Sequence, residues 1–138
     1  MEWHEITIAS NPDARAEAER IVMDAVGSRD FSEEASFSIK LAMEEAVVNA
    51  MKHGNSFDES KQVLLRYGFN GDSFHLVVRD EGRGFDHQHL PDPTDEDHLT
   101  LPYGRGIMLM RSYMDDVSYN DQGNEVTLVK FNSPGRKP

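Results

Sequence analysis

The stretch Glu45-Ala46-Val47-Val48-Asn49-Ala50-Met51-Lys52-His53-Gly54 closes a long amphipathic helix, and the reading of the whole chain hangs on it. Ala35, Ile39, Ala42, Met43, Ala46 and Ala50 recur at helical spacing ahead of it. The helix is predicted to begin near Asp30, with Glu33 three residues on as a capping box, and to end at Gly54-Asn55. Glu45 and Asn49 stand four residues apart, so they project from one face, one turn from each other. Val48 and Lys52 neighbour them on a stripe beside the apolar one. A carboxylate so placed can deprotonate a hydroxyl, and an amide oxygen can coordinate Mg²⁺. The same residues equally suit the solvated edge of an amphipathic helix, and the helix by itself leaves both readings open.

On either side of this helix the chain alternates between two periodicities. His4 to Ile8 reads as a short strand, and Asn11-Pro12 as the N-cap and first turn of a helix. That helix carries Ala14, Ala18, Ile21, Val22 and Ala25, with Gly27 as its stop. Downstream, Val63, Leu65, Tyr67 and Phe69 alternate, Asn70-Gly71 turns, and Phe74, Leu76 and Val78 alternate back. A second hairpin places Val117 and Tyr119 before a turn at Asn120-Asp121-Gln122-Gly123, followed by a strand from Val126 to Phe131. A short helix from about Gly106 to Met114 carries Ile107, Met110, Arg111 and Met114 on one side. Residues 86 to 103 are rich in His, Asp and Pro without apolar periodicity, the pattern of a lid or binding loop. The order is βααββ, loop, αββ, an α+β class with helices layered on one sheet. One domain over 1–132 and a frayed tail over 133–138 are expected.

The 138 residues suit one domain, and 38% hydrophobic with 28% charged residues places the chain among soluble globular proteins rather than disordered ones. No apolar run approaches the roughly 18 residues of a membrane span, and no basic, greasy leader opens the sequence. With no Cys there is no disulfide, thiol nucleophile or Cys-type zinc site, and a cytoplasmic location fits. The net charge of −11 argues against direct nucleic-acid binding, which draws much of its affinity from basic residues on phosphates. A role at a gene is expected to run through another protein.

Two further segments carry possible chemistry. Asp80-Glu81-Gly82-Arg83-Gly84-Phe85 leaves the end of a predicted strand. Its glycines permit close backbone approach to a flat ligand, and an Asp there can accept from an exocyclic amine such as that of adenine. A plain polar turn has the same composition. Gly104-Arg105-Gly106 precedes the third helix, where backbone N–H groups suit phosphate, though a flexible hinge would look alike. No Walker Gly-Lys-Ser/Thr follows, and the segment lacks the third Gly and preceding strand of a dinucleotide fingerprint. His87, His89 and His98 match no standard zinc spacing. Met108, Met110 and Met114 suit core filling or a partner-facing surface.

Taken together, the three segments resemble the GHKL ATP-binding superfamily, and within it the small stand-alone anti-sigma factor serine kinases. Residues 45–50 resemble the N-box, 80–85 the first glycine box and 104–107 the second. The form Glu-Ala-Val-x-Asn-Ala-x-x-His-Gly at 45–54 is the most specific feature, and the resemblance spans about residues 3 to 132. It implies a two-layer α/β sandwich with a mixed sheet covered by helices on one face, ATP and Mg²⁺ as ligands, and phosphoryl transfer to Ser or Thr of a small antagonist protein. By the same resemblance, Asn49 would hold Mg²⁺ and Glu45 would be the general base. Asp80 would read the adenine amine, Gly82 and Gly84 would shape the pocket floor, and Gly104 and Gly106 would cradle phosphates. Thr127 would support the adenine through Asp80 and water. Lys52, His53 and Arg105 would stand near the phosphates. A sigma factor as second partner, no membrane and a homodimer are further implications. The alternative is a nucleotide-regulated protein-binding module without phosphotransfer. Two departures from the family pattern stand out: Val48 occupies a position that is often Thr, and the lid carries Asp92, Asp95, Glu96 and Asp97 where a triphosphate would lie.

Overall fold

Alternating apolar residues build the sheet. A computed structural model describes residues 1–56, 58–82 and 102–132, with 102–107 by backbone alone. The strands are β1 (His4–Ala9), β2 (Gln62–Asn70), β3 (Ser73–Arg79), β4 (Asp116–Tyr119) and β5 (Glu125–Phe131), in spatial order β1-β2-β3-β5-β4. Every ladder among them is antiparallel. The layered α+β arrangement is as the sequence predicts; the sheet is antiparallel rather than mixed, because each neighbour enters from the opposite end. Leu65 pairs with Val78, Leu76 with Leu128, and Val78 with Val126, so one face is continuously apolar.

Three helices cover that face: α1 (Pro12–Ser28), α2 (Glu33–Asn49) and α3 (Pro102–Tyr113). Val22, Ile39, Met43 and Val47 from the helices join Val63, Leu65, Phe74, Leu76 and Leu128 in one core cluster. Each fully buried side chain of this size contributes roughly 1.5–3 kcal/mol, so the two layers hold each other. Met110 of α3 and Met114 just after it lie in the same core, whereas Met108 is 45% exposed, so these methionines divide between core and surface. Arg111, predicted to share their face, is exposed.

Local boundaries follow the capping chemistry. Asn11 caps α1, its side chain accepting from the Ala14 N–H at 2.9 Å. α1 runs past Gly27 to Ser28, and the left-handed residue behind it is Asp30, at φ 57°. The N-cap of α2 is therefore Ser32, which accepts from the Ala35 N–H at 3.1 Å, and not Asp30. In the first hairpin Asn70 still pairs with Ser73, so the turn is Gly71-Asp72, with Gly71 at φ 62°. α3 begins at Pro102, four residues before the predicted start, and proline suits a first helical turn. Of the lid predicted over 86–103, residues 86–101 lie outside the described residues, as does the tail from 133 to 138, and 102–103 belong to α3.

Gly27 offers a stability test. A Cβ there meets nothing within 4 Å, and the residue sits inside α1 without a positive φ. Gly27→Ala is expected to stabilise the fold by about 0.5–1 kcal/mol through helix propensity, read as a higher midpoint in urea.

Candidate functional site: a pocket between helix α2 and the sheet

The site begins where α2 stops being an α-helix. Ala50–Gly54 forms a π-helical turn, closed by the Asn55 N–H donating to the Ala50 carbonyl at 2.8 Å. Such wide turns recur at functional sites because they re-aim the end of a helix. Here the turn presses Gly54 against the end of β3. A Cβ on Gly54 would fall on the Asp80 carboxylate, and one on Gly82 would fall on the Gly54 backbone. Both glycines are demanded by this contact, not by turn conformation.

A narrow pocket opens around that contact. Ala46, Ala50, Val78 and Val126 give it apolar walls, and Asn49, Asp80 and Asn124 supply polar groups. This combination of flat apolar surface and a few polar groups suits a heterocyclic base. Asp80 is oriented on both sides. Its backbone N–H donates to the Asn124 carbonyl at 2.9 Å, and its Oδ1 accepts from the Gly82 N–H at 2.7 Å. Burial raises the Asp80 carboxyl above its usual range, partly offset by the Gly82 N–H and by Lys61 and Arg79. Asn49 lines the pocket with a buried amide nitrogen that has no hydrogen-bond partner among the described residues. An unpaired buried amide is costly, and a ligand satisfying it would recover that cost.

The predicted site residues divide as follows. Asn49 and Asp80 line one pocket, and the Gly82 N–H bonds to Asp80 from outside its lining. Glu45 is half-buried one helical turn before Asn49, outside the pocket lining. Lys52 is exposed and His53 half-buried, both on the π-turn. Burial, with the nearby Lys52, lowers the His53 pKa, which favours a neutral ring near pH 7. Gly104, Arg105 and Gly106 lie within α3, past its first residue, rather than ahead of it. Gly84 lies outside the described residues, as do His87, His89 and His98. Among the described residues no cluster of three metal-ligating side chains occurs.

Thr127 needs correction. It pairs with Val77 and alternates with the core residues Val126 and Leu128, so it faces away from the helices and the pocket. Asn124 stands beside Asp80 instead. Its side chain accepts from Asn120 Nδ2 at 2.8 Å, in a turn where Gly123 adopts φ 82°. The signal was present in the strand's period of two: Val126 and Leu128 point inward, so Thr127 cannot.

Comparison with known proteins now adds to this geometry. Residues 8–130 match the model of the histidine kinase-like ATPase domain. The chain belongs to the histidine kinase-like ATPase family. Within that family it is similar to a serine-protein kinase RsbW of Listeria innocua, 32% identical over 120 residues, covering 81% of this chain and 76% of the relative. An RsbW of Oceanobacillus iheyensis is 29% identical over the same coverage. An anti-sigma F factor of Anoxybacillus flavithermus is 34% identical over 97 residues, covering 67% of this chain and 65% of that one. Among solved structures, the RsbU and RsbW domains of a Mycobacterium tuberculosis protein superpose with a TM-score of 0.66 at 15% identity. That match covers all of this chain and 35% of the other, and supports the fold of a histidine kinase-like ATPase. The family implies ATP binding.

Proposed function

We propose that this chain is a serine/threonine-protein kinase and anti-sigma factor. It transfers the γ-phosphate of ATP to a hydroxyl of a small antagonist protein, and it sequesters a sigma factor in the same partner-switching circuit. The observation that carries this reading is one pocket with Asp80 and the unpartnered Asn49 amide on its wall, and Glu45 one helical turn beyond. The names of the RsbW and anti-sigma F relatives supply the class of reaction.

Adenine lies against Ala50, Val78 and Val126, and its amine donates to Asp80. The phosphates leave the pocket past Asn49 toward the π-turn, where Lys52 and His53 stand, and toward Gly104, Arg105 and Gly106 on α3. Asn49 carries an amide oxygen, a donor atom of the kind that Mg²⁺ takes, so it would be the residue that holds this hard ion, which needs few protein ligands. When bound, Mg²⁺ neutralises phosphate charge. Glu45 takes the proton from the attacking Ser or Thr hydroxyl. That oxygen bonds to the γ-phosphorus, the bond to the bridging oxygen breaks, and ADP leaves with the electron pair. The acidic chain, at −11, meets its targets as proteins rather than as nucleic acid. We place it in the cytoplasm, where ATP and sigma factors are, and as a homodimer, a state that light scattering would read directly.

Glu45→Ala is the direct test. Ala is the better helix former, so the fold should survive. Phosphate transfer to the antagonist is expected to fall by about 10²–10⁴-fold, as for loss of a general base. Affinity for ADP should stay within about threefold of the wild type, since Glu45 lies outside the pocket. Equal transfer rates in the two proteins would count against Glu45 as the base.

A further inference from the structure

Resting on the nucleotide reading above, we infer that Asn55 is a positioning residue that holds the adenine-reading turn in register with the helix bearing Asn49. Asn55 lies outside the lining of the pocket that holds Asn49 and Asp80, yet it is fully buried and its side chain joins three separated parts of the chain. Its Oδ1 accepts from the Glu81 N–H, the residue after Asp80, at 2.8 Å. Its Nδ2 donates to the Gln62 carbonyl at the start of β2 and to Ser10 Oγ at the end of β1, both at 3.0 Å. Its own N–H closes the π-turn on Ala50.

Only an amide fits all of these contacts. Glu81 requires an acceptor and Gln62 a donor, so Asp would set its carboxylate against the Gln62 carbonyl, and Ser is too short to span both. The consequence concerns Asp80. Its carboxylate touches Gly54, immediately before Asn55, and its chain neighbour Glu81 hangs from the Asn55 side chain. The strand end is thereby tied to the helix end at two successive residues. The distance between the Asp80 carboxylate and the Asn49 amide depends on that tie, and so does whether one nucleotide can meet both groups. Without it, the turn keeps its link to β5 through the Asp80 N–H and Asn124 but loses its register against α2.

The test compares wild type, Asn55→Ser and Ser10→Ala by calorimetric titration with ADP and GDP, and follows the Glu81 amide of the wild type by hydrogen exchange. Asn55→Ser is expected to weaken ADP binding at least about tenfold and to reduce the preference for ADP over GDP, the size of effect that a small misplacement of a binding group produces. Ser10→Ala removes one leg and leaves the Glu81 bond, so it should lower the melting temperature while keeping ADP affinity and preference. A merely structural Asn55 would lower stability in both variants and leave the base preference untouched, and that result overturns the inference. So does equal loss of preference in both. Should Asn55→Ser fail to fold, the wild-type exchange decides: a Glu81 amide protected in the free protein and slowed further by ADP supports the tie, and one exchanging freely in both states overturns it. If wild type binds no ADP, the nucleotide reading falls and this inference with it; if wild type binds and the preference survives Asn55→Ser, the inference falls alone.

Discussion

Asp80→Asn is expected to abolish adenine-nucleotide binding while leaving the free protein as stable as wild type or slightly more so. The amide keeps an oxygen for the Gly82 N–H, so the turn persists. Its NH₂ then faces the adenine amine donor for donor, and an unmatched polar pair in a desolvated site costs on the order of 10²-fold or more in affinity. Stability moves the other way because Asp80 stands in a place that disfavours its charged form. Its carboxyl is raised in the fold, chiefly by burial, so the folded state binds this proton more tightly than the unfolded one. A raised group contributes stability that is present below the unfolded carboxylate range, about 4, and lost as pH climbs through the folded value. The charged form of Asp80 is thus a burden on the fold, and Asn removes it. The gain should be at most about 1 kcal/mol, since solvent screens a half-buried carboxylate. It should shrink toward zero as the pH falls below the unfolded carboxyl pKa. Thermal melts of both proteins from pH 4 to 8, without nucleotide, read the sign directly. A wild type clearly more stable than Asp80→Asn at pH 7 would refute it.

Gly82→Ala should be the most disruptive single methyl group in the described structure. The added carbon would overlap the Gly54 backbone, which cannot swing aside as a side-chain end can. Either the π-turn or the strand end must move, and Asn55, with bonds on both sides, resists both. Overpacking of this kind costs roughly 1–3 kcal/mol or more, so the melting temperature should drop by about 5–10 °C. Nucleotide binding should fall in the surviving folded fraction, since the Gly82 N–H orients Asp80. The contrast with Gly27→Ala, the same substitution in open space with the opposite expected sign, separates steric cost from the general effect of replacing glycine. Denaturant midpoints of the two variants side by side would show it.

The layered fold was legible because its signals are local. The α2 stripe has the helical period, the two hairpins have the strand period, and Glu45 and Asn49 share a helical face by arithmetic. What escaped was long-range. Hairpin logic joins β2 to β3 and β4 to β5, but nothing in a window of ten residues says that β3 lies beside β5, and that pairing brings Asn124 to Asp80. Motif position points Thr127 at the adenine, but the strand parity set by the buried Val126 and Leu128 turns it away. Asn55 looked like the end of a helix, and its partners Ser10 and Glu81 are 45 and 26 residues away. Ser32 displaced Asp30 as the cap because Asp30 takes a positive φ to turn the chain between α1 and α2.

The central claim is that the pocket beside Asn49 and Asp80 takes Mg·ATP, and thermal shift of wild type and Asn49→Ala tests it most directly. At about 100 times its dissociation constant a ligand contributes about 2.7 kcal/mol, a rise of roughly 5–10 °C for a domain of this size. Without nucleotide the variant should melt no lower than wild type, because it loses an amide whose nitrogen is buried and unsatisfied. The account predicts a clear rise with Mg·ATP in wild type that largely disappears in Asn49→Ala. No rise in wild type with ATP or ADP at any Mg²⁺ concentration, or an equal rise in both proteins, would contradict it.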